Sequence, residues 1–152
     1  MKIICVIDGQ GGGIGSTIIK NLYGLDVDMS EIIALGTNAI ATTQMLKAGA
    51  NRGASGENAI VQTVPKVDII IGPLSIIVAN AMMGEITPKI AEAVASSPAR
   101  KYLLPLTQEN IEIVGVSTLP LPHLIQTLTK KSLRSFLTET GSSNHRPIDP
   151  KK

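Results

Sequence analysis

The chain has 152 residues, one cysteine, two tyrosines, one phenylalanine, no tryptophan and a formal net charge of +2. So few aromatic side chains exclude the stacking surfaces of proteins that bind single-stranded nucleic acid, and we expect no nucleic-acid partner. The longest apolar runs are far too short to span a membrane, so we expect no membrane partner. With one cysteine and no leader pattern, the composition predicts a cytoplasmic protein.

The N-terminal stretch predicts a phosphate-binding corner. Residues 2–7 are almost all apolar, which is typical of a buried strand, and residues 14–22 carry apolar side chains at helical spacing. Between them lies a glycine-rich loop, and backbone N–H groups at the start of a helix favour an anion. The expected ligand contacts come from every residue of this loop: Gly9, Gln10, Gly11, Gly12, Gly13, Ile14 and Gly15.

The spacing of Gly9, Gly13 and Gly15 gives G-x-x-x-G-x-G, which resembles the loop of short-chain dehydrogenases. No lysine follows the loop, which argues against a P-loop. Asp8, just before the loop, would repel a phosphate, and we expect it to cap the turn instead. The alternative is a tight strand-to-helix turn that binds nothing.

The remaining pattern predicts an α/β protein. We expect further strands at residues 31–35, 67–71, 101–104 and 111–116, and helices at residues 39–48, 75–84, 88–97 and 121–137. Alternating strands and helices indicate a doubly wound, mostly parallel, five-stranded Rossmann-like sheet in a single domain, residues 1–137. Because the link between residues 104 and 111 is too short for a crossover, the fifth strand is expected to pair antiparallel at an edge.

Two segments do not follow the alternation. Residues 51–65 form a long stretch rich in turn formers, with room for a short strand or a helical turn near residues 58–62. The polar, basic end, residues 138–152, is expected to be a disordered tail.

The residues that follow the other predicted strands extend the candidate site, because ligands of such sheets bind at the carboxyl ends of strands. They are Thr37, Asn38, Gly72 and Pro73. NAD sites place an acidic residue after the second strand, and residues 36–38 contain none. We therefore expect NADP, with a 2′-phosphate held by Thr37 and Asn38 and reached by Arg52, to bind better than NAD. A mononucleotide fits as well.

Catalysis is not decided by the sequence. Glu85, between two predicted helices, and Glu57, in the long loop, are the candidate catalytic carboxylates, and a solvated helix corner is the competing interpretation of Glu85. The Tyr-x-x-x-Lys pattern of short-chain dehydrogenases is absent. One cysteine and two distant histidines predict no metal site.

Several motifs together resemble a family of short bacterial proteins that is known only as a domain of unknown function. They lie at residues 6–15 (VIDGQGGGIG), 34–41, 45–50, 53–61, 68–73 and 84–88 (GEITP). The resemblance implies a Rossmann-like domain and brings no established activity. A looser similarity to tubulin-like division GTPases fails at residues 72–77, where their second glycine-rich loop is missing, and this argues against GTP hydrolysis.

Three functions stay open. The first is a small regulatory or binding module for a nucleotide or dinucleotide; the others are an NADP-linked oxidoreductase acting as an oligomer, and an interaction protein with a purely structural loop. The predicted helix at residues 75–84 is apolar on more than one face, so either the predicted helix at residues 88–97 or a second subunit must cover it. Of the two, we favour a second subunit in a homodimer.

Overall fold

The computed structural model describes residues 2–25, 29–106, 109–117 and 119–138. The strands are β1 (Lys2–Asp8), β2 (Met29–Gly36), β3 (Arg52–Ser55), β4 (Ile69–Pro73) and β5 (Arg100–Leu104). The α-helices are α1 (Gly13–Leu22), α2 (Ala39–Lys47), α3 (Glu57–Thr63), α4 (Pro88–Ser96), α5 (Leu121–Thr127) and α6 (Arg134–Thr138). A π-helical segment, Leu128–Leu133, joins α5 to α6. Short 3₁₀ turns lie at Val64–Lys66 and Leu74–Ile77.

The five strands form one sheet in the order β3-β2-β1-β4-β5, and every pair is parallel. Alternate β1 residues face opposite layers. Ile4 and Val6 pack with α1, α2 and the C-terminal helices, whereas Cys5 and Ile7 pack with α3 and α4. The doubly wound Rossmann-like fold predicted from the sequence is confirmed.

Local signals place several helix ends correctly. Asn38 caps α2, where its side-chain oxygen accepts the Ala41 N–H at 2.9 Å. Thr87 caps α4 by accepting the Ile90 N–H at 3.1 Å, and Pro88 occupies the first turn. Side-chain oxygens at these positions satisfy donors that a helix start leaves free.

The strand predicted at residues 111–116 is wrong. Residues 111–116 pair with no strand, and their side chains are exposed. Gly115, with φ +85°, turns the chain there. The strand that the prediction missed is β3, which pairs parallel with β2 at one edge of the sheet. The predicted antiparallel edge strand is therefore also wrong. The sequence Arg-Gly-Ala-Ser of β3 is exposed along its length and carries no apolar alternation. Of the two elements considered for residues 58–62, a short strand and a helical turn, the structure has a helix, α3.

The predicted helix at residues 75–84 is also wrong. After the 3₁₀ turn at Leu74–Ile77, left-handed backbone angles at Asn80, Met82, Met83 and Gly84 break any helix. Contacts of Ile76 and Ala81 with the core replace the helical packing that the apolar run suggested.

Cys5 lies in the core with no solvent exposure, as expected, and burial raises the pKa of its thiol. Within the described parts of the chain, no helix combines the length and apolarity needed to cross a bilayer. The predicted tail lies outside the described residues from residue 139 onward.

Candidate functional site

The glycine loop, residues 9–15, joins β1 to α1 and includes the first turn of that helix. It lies at the carboxyl end of the sheet, where β1 pairs with β2 on one side and with β4 on the other. The chain leaves β1 and β4 toward opposite faces at this point, and such a switch point is where open α/β sheets bind their ligands. Gln10 at φ 49° and Gly12 at φ 73° give the loop its turn, which the Gly12 N–H closes on the Gly9 carbonyl at 3.0 Å.

Three glycines of the loop are required by packing. A Cβ on Gly12 would lie 2.8 Å from the backbone of Ala41, so α2 packs directly on the loop. A Cβ on Gly15 would lie 2.5 Å from the sulfur of Met45, and one on Gly9 would lie 2.6 Å from Thr37 Oγ1. At Gly12 the Ala41 backbone leaves no room for a side chain, and at Gly9 and Gly15 the neighbouring side chains would have to move to make room.

Gly11 and Gly13 differ from the other loop glycines. A Cβ on either would meet nothing within 4 Å, and neither has a positive φ. Among the hydrogen bonds of the described residues, none uses the N–H of Gly11 or Gly13. The fold therefore gives no reason for glycine here, whereas close approach of a ligand to the backbone would give one.

Asp8 holds the loop from below. Its two carboxylate oxygens accept the Gly9 and Gly15 N–H groups, each at 2.8 Å, which confirms the expected capping role. Burial raises the pKa of Asp8 and the charge of Glu85 adds to the increase, while the hydrogen bonds from Gly15 and Gly9 lower it. The net pKa lies above the usual value of an aspartate, so its charged form is costly in this position.

Glu85 reaches the loop from the other side of the sheet. It belongs to the crossing segment, residues 78–86, which links the 3₁₀ turn to α4 and runs over Gly9. Glu85 Oε1 accepts three hydrogen bonds: from the Gln10 N–H at 3.0 Å, from Thr37 Oγ1 at 2.6 Å and from Asn38 Nδ2 at 2.7 Å. Glu85 is thus half-buried and bonded to residues that follow β1 and β2, next to the loop but outside the lining of the cavity described below.

The charge of Glu85 is stabilised by these contacts. Burial raises the pKa of its carboxyl, but the hydrogen bonds from Thr37, Gln10 and Asn38 outweigh burial, and the net pKa lies below the usual value. Glu85 is therefore a carboxylate at neutral pH. Asn38 also donates to the Gln10 carbonyl at 3.0 Å, so the ends of β1 and β2 are tied together at this carboxylate.

A cavity of about 380 Å³ lies on the β4 side of the loop. Its walls are residues 8–14 together with Ser75, Met82, Leu106 and Glu109. Glu109 accepts the Met82 N–H at 3.2 Å, so the crossing segment and the chain after β5 meet at its rim. None of the described residues that line it is basic. Met82 and Glu109 carry no sequence signal that could have placed them here.

The other predicted site residues do not line the cavity. Gly72 and Pro73 are buried at the end of β4, and a Cβ on Gly72 would lie 2.5 Å from the Ile7 carbonyl oxygen, so they support the site from beneath. Glu57 is exposed and accepts the Thr87 hydroxyl at 2.6 Å. Arg52, expected near a 2′-phosphate, pairs with Glu31. In the described part of the chain, no three His, Cys, Asp or Glu residues cluster as a metal site would require.

These features define an α/β protein with a Rossmann-like parallel sheet and a glycine loop beside an open cavity at its switch point. The chain belongs to the family described as a domain of unknown function, DUF3842, whose model matches residues 3–136. The match confirms the resemblance to a family known only as a domain of unknown function. No curated protein and no solved structure matches the chain significantly.

Proposed function

We propose that this protein is a small binding module for a phosphate-bearing nucleotide or dinucleotide, with the phosphate on the glycine loop. The observation that carries the proposal is the pair Gly11 and Gly13. They line the cavity, they have free space above them, and neither backbone angles nor packing requires them to be glycine. A phosphate lying against the backbone N–H groups of this loop accounts for both.

The size and position of the cavity support a nucleotide. Its volume of about 380 Å³ falls in the range of small-molecule sites. Leu106 and Met82 offer apolar surface to a base or a similar flat group, and Gln10 and Ser75 offer polar contacts. The cytoplasm, where nucleotides are abundant, is the proposed location.

The charges favour a ligand of low total charge. Asp8 and Glu109 line the cavity, and Glu85 lies on the far side of Gly9. Carboxylates repel a polyanion, so a ligand with one or two phosphate groups and an otherwise neutral body fits better than a triphosphate.

Ligand screening of the purified protein tests the proposal. Native mass spectrometry and thermal shift with NAD, NADP and the nucleoside mono- and diphosphates are expected to give a bound complex and a raised melting temperature. In Gly13→Val the side chain occupies the phosphate position, so affinity is expected to fall more than about tenfold.

The matched control is Gly24→Val, at the opposite end of α1, where a Cβ makes an ordinary contact at 3.5 Å with the Asn21 carbonyl. This variant is expected to bind like the wild type. Unchanged affinity in a folded Gly13→Val protein would refute the phosphate role of the loop.

An interaction role has separate support. Met83 is 96% exposed and Val114 is 93% exposed, and their two segments meet where Glu109 contacts Met82. Exposed apolar side chains on adjoining segments are typical of an interface. We propose a homodimer that covers this surface, in place of the helix on which the sequence prediction rested.

A further inference from the structure

The carboxyl end of β2 has a carboxylate that its own sequence lacks. Dinucleotide-binding folds place Asp or Glu after this strand, where it accepts hydrogen bonds from ribose hydroxyls. Here Thr37 and Asn38 follow β2, and both donate to Glu85, which comes from the crossing segment 48 and 47 residues later in the chain. The crossing segment therefore supplies the carboxylate that residues after β2 supply in dinucleotide-binding folds.

The contacts of Glu85 leave one of its oxygens for a ligand. Oε1 accepts all three protein hydrogen bonds, and Oε2 accepts none among the described residues. Donors from Gln10, Thr37 and Asn38 fix the plane of the carboxylate, and the side chain is only partly buried. An orientation fixed before binding reduces the entropy that a ligand must overcome.

The same contacts leave nothing to hold a 2′-phosphate. The Thr37 hydroxyl and the Asn38 amide, which a phosphate would need as donors, are committed to Glu85. Arg52 is paired with Glu31. A 2′-phosphate at this edge would meet the Glu85 carboxylate, which repels it.

We infer that Glu85 is the specificity-determining residue of the site, accepting the hydroxyls of an unmodified ribose and rejecting a 2′-phosphate. The inference rests on the proposed function. It names the ligand class as a dinucleotide with free 2′- and 3′-hydroxyls, with one ribose at Glu85 and the other half of the molecule in the cavity on the β4 side of the loop. A mononucleotide bound at Glu85 would leave that cavity empty. It also reverses the expectation from the strand-end sequence that NADP binds better than NAD.

The test compares matched ligands by calorimetry on the full chain. The pairs are NAD against NADP, and ADP and GDP against their 2′-deoxy forms. The wild type is expected to bind the free-ribose member of each pair about tenfold or more tightly, the range of one hydrogen bond to a charged group.

Glu85→Gln isolates the ligand-facing oxygen. The amide oxygen of glutamine can still accept the three bonds that Glu85 Oε1 accepts, so the loop keeps its support, while an NH₂ group replaces Oε2. We expect the discrimination within each pair to shrink about tenfold. The matched control is Glu92→Gln, an exposed carboxylate on α4, which should leave it unchanged.

The results test the role of Glu85 and the phosphate role of the loop separately. Tighter binding of NADP, equal binding of the deoxy ligands, or the same discrimination in Glu85→Gln would overturn the role of Glu85. If Gly13→Val still abolished binding in that case, the phosphate role of the loop would stand. Absence of binding by every ligand would overturn both proposals together.

Discussion

Alanine at Gly12 and alanine at Gly13 are expected to have opposite effects, although the two residues are neighbours. Gly12 is buried at φ 73° against the Ala41 backbone, whereas Gly13 starts α1 with open space above it. One substitution disturbs the packing of α2 on the loop, and the other adds a methyl group to a helix where nothing opposes it.

The magnitude follows from two costs at Gly12. A left-handed conformation costs an alanine about 1–2 kcal/mol. The Cβ would lie 2.8 Å from backbone atoms of Ala41, which cannot rotate away, and overpacking of this kind costs about 1–3 kcal/mol. Together the loss is about 2–5 kcal/mol, or a fall of about 5–15 °C in the melting temperature of a domain this size. Gly13→Ala is expected to change stability by less than about 1 kcal/mol, in the stabilising direction.

Circular dichroism during heating and urea unfolding measure both variants. Gly115→Ala is the control, because Gly115 has φ 85° and open surroundings, so it reports the backbone cost without the clash. Its loss should lie between those of the other two. Equal losses at Gly12 and Gly13, or a stable Gly12→Ala protein, would refute the packing role of Gly12 and the open surroundings of Gly13.

Three further predictions concern charge, the tail and assembly. Because the pKa of Asp8 is raised in the folded state, its contribution to stability falls as pH rises from about 4 toward neutrality. As pH rises across this range, the melting temperature of the wild type should fall relative to that of Asp8→Asn. A constant difference between the two melting temperatures would contradict the raised pKa of Asp8 as the cause. Deleting residues 139–152, which offer few apolar groups, should leave the melting temperature nearly unchanged, and a large loss would mean that they dock. Sedimentation at high micromolar concentration should show a dimer that Val114→Asp weakens, and a wild-type monomer would exclude it.

The sequence predicts well the elements whose buried residues form either one continuous apolar run or one helical stripe. The residues of β1 are buried on both faces, and α1 turns Ile18, Ile19 and Leu22 to the core, so runs and helical spacing are read directly. The errors fall where tertiary contacts override the local pattern. Residues 78–86 are apolar enough for a helix, yet Ala81 and Ile86 enter the core from a series of turns.

The part of the candidate site formed by the glycine loop, Thr37 and Asn38 can be predicted from the sequence. Because parallel strands end at one edge, the glycine loop and Thr37 and Asn38 had to lie near each other. Glu85 approaches Gln10 across 75 residues of chain, and nothing local indicates this. Its place depends on the left-handed turns of the crossing segment, and bulky residues such as Met82 and Met83 rarely adopt them.

Those turns connect the unusual backbone to the site. Left-handed angles at Met82 and Met83 cost free energy that the rest of the fold must offset. They direct Glu85 onto the loop and set Met82 in the wall of the cavity. The left-handed residues of the segment 78–86 are therefore those that bring Glu85 to Gln10 and Met82 to the wall of the cavity.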